Sequence, residues 1–137
     1  WFEVYASSGG ALDLHLASQS EDSAHGRLLP GGFVLSIVQC LDDVTIVDSD
    51  HPITTTPNPI GNGDVDGWGC STHGYFVTFP PAGHEIMEIA GSGDPCCMDL
   101  PFGAGRILAT VQTVEWGGGS RAFLENTILY DVGVNCP

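Results

Sequence analysis

Residues 105–134 read Gly-Arg-Ile-Leu-Ala-Thr-Val-Gln-Thr-Val-Glu-Trp-Gly-Gly-Gly-Ser-Arg-Ala-Phe-Leu-Glu-Asn-Thr-Ile-Leu-Tyr-Asp-Val-Gly-Val. Two β-rich runs flank Gly117-Gly118-Gly119-Ser120, the pattern of a hairpin. In the second run Ala122, Leu124, Ile128, Tyr130, Val132 and Val134 share one face. Arg121, Glu125, Thr127 and Asp131 share the other, and this period of two predicts a half-buried strand. The first run, 107–116, is apolar on both faces and suits a more central strand.

Working outward, the same patterning recurs. Phe2, Val4 and Ala6 alternate with polar neighbours, as do Leu12, Leu14 and Leu16. Phe33–Cys40 is a nearly continuous apolar run, and Val44–Val47 and Tyr75–Phe79 are further short strands. His84–Ala90 fits either a strand or a helical turn; its shortness and flanking glycines favour the strand. Residues 18–32, 48–74 and 91–105 read as loops rich in glycine, proline and polar residues. About eight strands separated by turns predict an all-β fold, an antiparallel β-sandwich or jelly roll stapled by disulfides. A closed barrel is the second choice. Neither a repeat nor a linker divides residues 1–137, so one domain is expected.

Composition narrows the function. Of the 137 residues 17 are Asp or Glu and only three are basic, all of them arginine (Arg27, Arg106 and Arg121). A net charge of -14 repels a phosphate backbone and argues against nucleic-acid binding. Nowhere is there an apolar stretch of membrane-spanning length. The chain opens at Trp1 without a methionine, which fits a mature product whose leader was removed, or a trimmed chain. A secreted, extracellular or cell-surface location follows as the expectation.

The five cysteines, Cys40, Cys70, Cys96, Cys97 and Cys136, contain no Cys-x-x-Cys pair, so no zinc pattern is evident. Two disulfides are expected, Cys40–Cys70 and a bond from Cys97 (or Cys96) to Cys136, with one thiol left over. Each bond is worth about 2–4 kcal/mol.

Asn62-Gly63-Asp64-Val65-Asp66-Gly67 resembles the first half of an EF-hand or dockerin calcium loop. Alternating oxygen ligands converge on one centre, and the glycine permits a sharp turn. The position that supplies a bidentate carboxylate in those loops is His73 here, so another loop would have to complete the shell. The alternative is a plain surface turn. The histidines His15, His25, His51, His73 and His84 do not pair at ligand spacing, and Ser92 lacks a nucleophile elbow. Trp1, Trp68, Tyr75 and Trp116 offer rings that could stack on sugars. Trp68, beside the acidic turn, is the foremost of these, and Trp68 and Tyr75 are the ligand-binding candidates.

Arg106-Ile-Leu-Ala-Thr-Val, the glycine turn, Leu124 and Ile128-Leu-Tyr-Asp-Val-Gly resemble the closing strands of cohesin-like extracellular modules. That resemblance, confined to the last third of the chain, implies a jelly-roll sandwich and attachment of proteins at a cell surface. The expected function is a non-catalytic extracellular binding or assembly module (adhesion, scaffold or filament subunit). Its partners are other protein chains or copies of itself, and calcium is the candidate cofactor. The strand Trp1–Ala6, with Trp1, Phe2 and Val4, is the candidate connecting element. A carbohydrate-binding module and a small secreted hydrolase are the alternatives.

Overall fold

A computed structural model describes residues 2–6, 12–16, 27–28, 34–103, 105–114 and 121–131. Nine strands and three helices follow in the order β1 (Phe2–Ala6), β2 (Leu12–Leu16), β3 (Arg27–Leu28), β4 (Val34–Leu41), β5 (Val44–Ile46), α1 (Pro52–Thr55), α2 (Asn62–Val65), β6 (Thr72–Thr78), β7 (His84–Ile89), β8 (Asp94–Phe102), β9 (Gly105–Thr110) and α3 (Arg121–Asp131). The strands form two open antiparallel sheets, ordered β2-β1-β9-β8-β7-β5 and β3-β4-β6. An isolated bridge from Thr72 to Gln112 ties the small sheet to the end of β9. The fold is therefore mixed α/β with open sheets. The expected all-β sandwich or jelly roll is wrong, and so is the likeness to cohesin-like modules that leaned on it.

The error sits in the second half of the opening stretch. Residues 121–131 form a helix, and its buried positions are Phe123, Asn126, Thr127 and Tyr130. That is the i, i+3, i+4, i+7 stripe of an α-helix. Two of the four are polar, so the apolar residues alone spelled a false period of two. Leu124 and Leu129 are only partly buried, and Ile128 is 39% exposed. Glycine turn 117–120 lies outside the described residues, and so does Val132–Val134.

The first half reads true locally. Strand β9 lies between β1 and β8, and Ile107, Leu108, Ala109 and Thr110 are all buried, so both faces are covered. The stretch 91–105, expected as a loop, instead holds β8, with Cys96, Cys97, Met98 and Leu100 in the core. Its turn from β7 is made by Gly91 and Gly93, at φ +87° and +73°, a left-handed conformation that only glycine adopts without strain. The stretch 48–74 carries α1 and α2. Helix α1 starts where the His51 ring accepts the Ile53 amide, with Pro52 in the first turn. Ile53 and Val65, both fully buried, carry these short helices into the core, where Phe123 of α3 is also buried.

Strand β1 is bonded on both sides, to β2 and to β9, so Phe2 and Val4 sit in an interior strand rather than at an edge. Trp1 lies outside the described residues. No helix among the described residues is long and apolar enough to cross a membrane.

Candidate functional site

The topology gathers one set of chain ends. Strand β5 finishes, β7 begins, β8 finishes and β9 begins at the same end of the large sheet, because successive neighbours run antiparallel. Asp48 follows β5, His84 opens β7, Asp99 lies opposite His84 on β8, and Arg106 is the second residue of β9. The loop before α1 adds His51, and α3 adds Tyr130.

These side chains form one connected cluster. Asp99 Oδ2 accepts from the Tyr130 hydroxyl at 2.8 Å and from Arg106 at 3.0 Å. The same oxygen lies 3.5 Å from His51 Nε2. The guanidinium of Arg106 also sits 4.1 Å above the Tyr130 ring, a cation–π contact. His51 Nδ1 accepts from the Ile53 amide, which leaves the ring proton on Nε2, facing Asp99. The His51 ring meets Tyr130 edge-on and stacks on His84, with centroids 5.7 Å apart in the second case. His84 Nε2 lies 2.7 Å from Asp48 Oδ2, while Asp48 Oδ1 accepts the Asp50 amide. The hydrogen bond from His84 holds the Asp48 carboxyl below its ordinary range, against the opposing effect of partial burial.

The cluster has a buried floor and an open rim. Tyr130, His51 and Asp99 are buried, whereas the His84 side chain is 55% exposed and that of Arg106 29%. Asp99 Oδ1 is buried without a partner. Among the described residues, five large hydrophobic side chains are exposed, and three of them (Val47, Phe79 and Phe102) belong to segments at this same sheet end. Phe79 packs beside Gly83, just ahead of His84, and Phe102 closes β8 next to the Arg106 turn. The arrangement can bind through rings and a cation. It can also move a proton at His84, whose ring Asp48 orients.

The residues expected to hold calcium lie elsewhere. Asn62 Oδ1 accepts the Ile46 amide at 2.9 Å, and Asp66 Oδ1 accepts the Val44 amide at 3.1 Å. Asp64 Oδ2 accepts the Gly61 amide at the start of α2. Val44 and Ile46 belong to the edge strand β5, so two side chains of the acidic turn cap the amides that this edge turns away from β7. Capping blunts an edge against further strand pairing. Asp64 and Asp66 each keep one carboxylate oxygen outside these bonds. Trp68 is half-buried and its amide donates to Ser71 Oγ, and Tyr75 packs against the core from β6.

Cys40 and Cys70 are joined by a disulfide across thirty residues, with Cα atoms 4.7 Å apart. His73 stands beside them: its Nε2 is 3.1 Å from Cys70 Sγ and 3.5 Å from Cys40 Sγ. Among the described residues these three bring their potential ligand atoms within 4.8 Å of one another. Asp42 fastens the preceding loop, accepting from Ser71 Oγ and from the Gly69 amide, and these bonds lower its pKa, the Ser71 hydroxyl most. Cys96 is a buried thiol whose pKa is pushed up, first by burial and then by Cys97. Cys136, and with it the expected bond to Cys97, lies outside the described residues.

From the sequence, the Cys40–Cys70 bond of the second cluster is expected but not His73 beside it, and the first cluster is not foreseen at all. The sheet-end cluster draws on positions from 48 to 130, and no spacing announces it. The sulfur–histidine group leaves a trace in the sequence, Cys70-Ser-Thr-His73, a Cys-x-x-His spacing. No protein-family model, no curated protein and no solved structure matches this chain.

Proposed function

We propose that this domain is a non-catalytic extracellular binding or assembly module that docks another protein chain on the sheet end formed by Val47, Phe79, His84, Phe102 and Arg106. The observation that carries this reading is that the sheet end holding a part-exposed arginine and an oriented histidine also carries three exposed apolar side chains, with Phe102 on the sheet face opposite Arg106. Aromatic rings and arginine are the residues that dominate protein interfaces, and lysine is absent from the whole chain. An extracellular location rests on the Cys40–Cys70 disulfide, a bond that persists in oxidising compartments. The capped edge at β5 argues for docking through side chains there, not by strand addition.

A second copy of the chain is the partner to test first. With a net charge of -14, copies repel one another until salt screens them. Sedimentation velocity at rising protein concentration should show association that strengthens with added salt. Phe102→Asp, at a side chain 56% exposed, should weaken it about thirtyfold or more without lowering stability. A chain that stays monomeric in high salt, or a variant that associates like the wild type, overturns self-assembly at this face.

The pair His84–Asp48 favours a second reading, a small secreted hydrolase in which His84 activates water. Turnover of an ester or glycoside panel that His84→Ala abolishes is its test. Glycan binding lost on Trp68→Ala would instead favour the carbohydrate-binding alternative.

A further inference from the structure

We infer that Cys40, Cys70 and His73 form a redox-gated site for a thiophilic divalent cation of the zinc class, closed while the disulfide stands and opened when it is reduced. Disulfide and metal exclude each other here, because a metal needs both sulfurs as thiolates. What supports a metal-competent state is the third member. Between the pairs Ile37–Gly74 and Leu41–Thr72, the β4–β6 ladder slips, so that residues 38–40 of β4 stand opposite the single residue His73 of β6. That bulge brings Cys40 to His73, while the chain just ahead of β6 supplies Cys70 from three residues away.

The distances fit. A tetrahedral zinc with Zn–S of about 2.3 Å and Zn–N of about 2.05 Å sets neighbouring S and N ligands about 3.5 Å apart and the two sulfurs about 3.8 Å apart. The two observed N···S separations, 3.1 and 3.5 Å, are already near that value. Only the sulfurs must part, by roughly 0.9 Å each from an ordinary disulfide bond. Cys40 and His73 are exposed and Cys70 is buried, so the cation would sit against the sheet with a fourth position open to solvent. A plain structural disulfide gains little from an imidazole nitrogen directed at both sulfurs, since sulfur is a weak acceptor.

The chemistry balances in two steps. An external dithiol gives two electrons and two protons to the bond, becoming a disulfide itself and leaving two thiols on Cys40 and Cys70. The cation then displaces both thiol protons to solvent and is held by two thiolates and a neutral imidazole, so the charges of the centre cancel.

Cobalt(II) is the probe, because its ligand-field bands report tetrahedral geometry and its charge-transfer band reports thiolate ligation. The full chain is reduced with a phosphine under inert gas and titrated with cobalt. One equivalent should bind with both signatures, zinc should displace it, and the oxidised chain should bind none. His73→Ala should form the disulfide normally and, once reduced, bind cobalt more weakly by over a hundredfold, beyond the 10–100-fold typical of losing an outer partner. Cys136→Ser and the pair Cys96→Ala with Cys97→Ala should each leave binding unchanged, which keeps the other thiols out of the account. Because reduction can loosen the fold, the same titration is repeated with cobalt present throughout reduction. The inference is overturned if the reduced chain shows no thiolate band in either titration, or if His73→Ala binds as tightly as the wild type.

Discussion

Replacing Asn126 by alanine tests the helical reading of residues 121–131 at its most loaded point. The Asn126 side chain is fully buried and makes four hydrogen bonds. Its Oδ1 accepts from the amide and the side chain of Asn58, both at 3.1 Å, and its Nδ2 donates to the carbonyls of Ile53 and Asn58, at 2.9 and 2.7 Å. One asparagine thus clamps α1 and the following loop to α3. Truncation leaves the Ile53 carbonyl buried without a partner, at a cost of about 1–3 kcal/mol. The Asn58 amide and carbonyl are only part-buried and can recruit water, adding about 0.5–1 kcal/mol each. The better helix propensity of alanine offsets roughly 0.5 kcal/mol. The net expectation is a loss of about 3 kcal/mol, or some 12 °C of Tm at about 4 °C per kcal/mol for a chain of this size. Urea unfolding followed by tryptophan fluorescence measures it, with an unchanged m-value showing that the denatured state is the same. The neighbouring position supplies the counter-test. Thr127 is buried and its hydroxyl has no partner, so Thr127→Val should stabilise by about 1 kcal/mol. A strand with Thr127 facing solvent expects no change there. A loss below about 1 kcal/mol at Asn126 together with no gain at Thr127 refutes the packing of α3 described above.

Two further outcomes are expected. Burial, and secondarily Glu88, raises the Glu85 carboxyl above its ordinary 4.5, so this group favours the fold when protonated and its contribution is lost as pH climbs through the folded value. Glu85→Gln should therefore stabilise the fold at neutral pH, by well under about 1 kcal/mol in view of solvent screening, and the accompanying rise in Tm should vanish in melts run below about pH 4. If Asn62, Asp64 and Asp66 hold calcium beside their amide bonds, Tm should rise with millimolar calcium and fall with a chelator, and Asp64→Asn plus Asp66→Asn should erase the shift, whereas an unmoved Tm leaves them as caps alone. Asp66→Ala should cost about 1 kcal/mol with calcium or without, because it uncaps the Val44 amide; a variant as stable as the wild type would contradict the edge-capping role.

What the sequence determined by itself is local. Alternation in Phe2–Ala6 and Leu12–Leu16, the apolar run before Cys40 and the buried run Ile107–Thr110 mark strands, because a pleated chain shows its neighbours to opposite faces whatever surrounds it. The acidic, lysine-free composition likewise argues against a phosphate backbone as partner without any coordinates. Residues 121–131 needed the tertiary structure. Their core stripe includes Asn126 and Thr127, and a polar side chain counts as core only once Ile53 and Asn58 are seen to surround it. The same holds for Asn62 and Asp66. From sequence their oxygens point to a cation; in the fold they meet the amides of Ile46 and Val44, which no spacing along the chain brings near. The sheet-end cluster is the extreme case. Asp48, His51, His84, Asp99, Arg106 and Tyr130 become one network only because antiparallel pairing returns four strand ends to a single place and α3 lays a tyrosine across them. Periodicity records which face of an element is buried, and it carries no information about what lies on the other side of the contact.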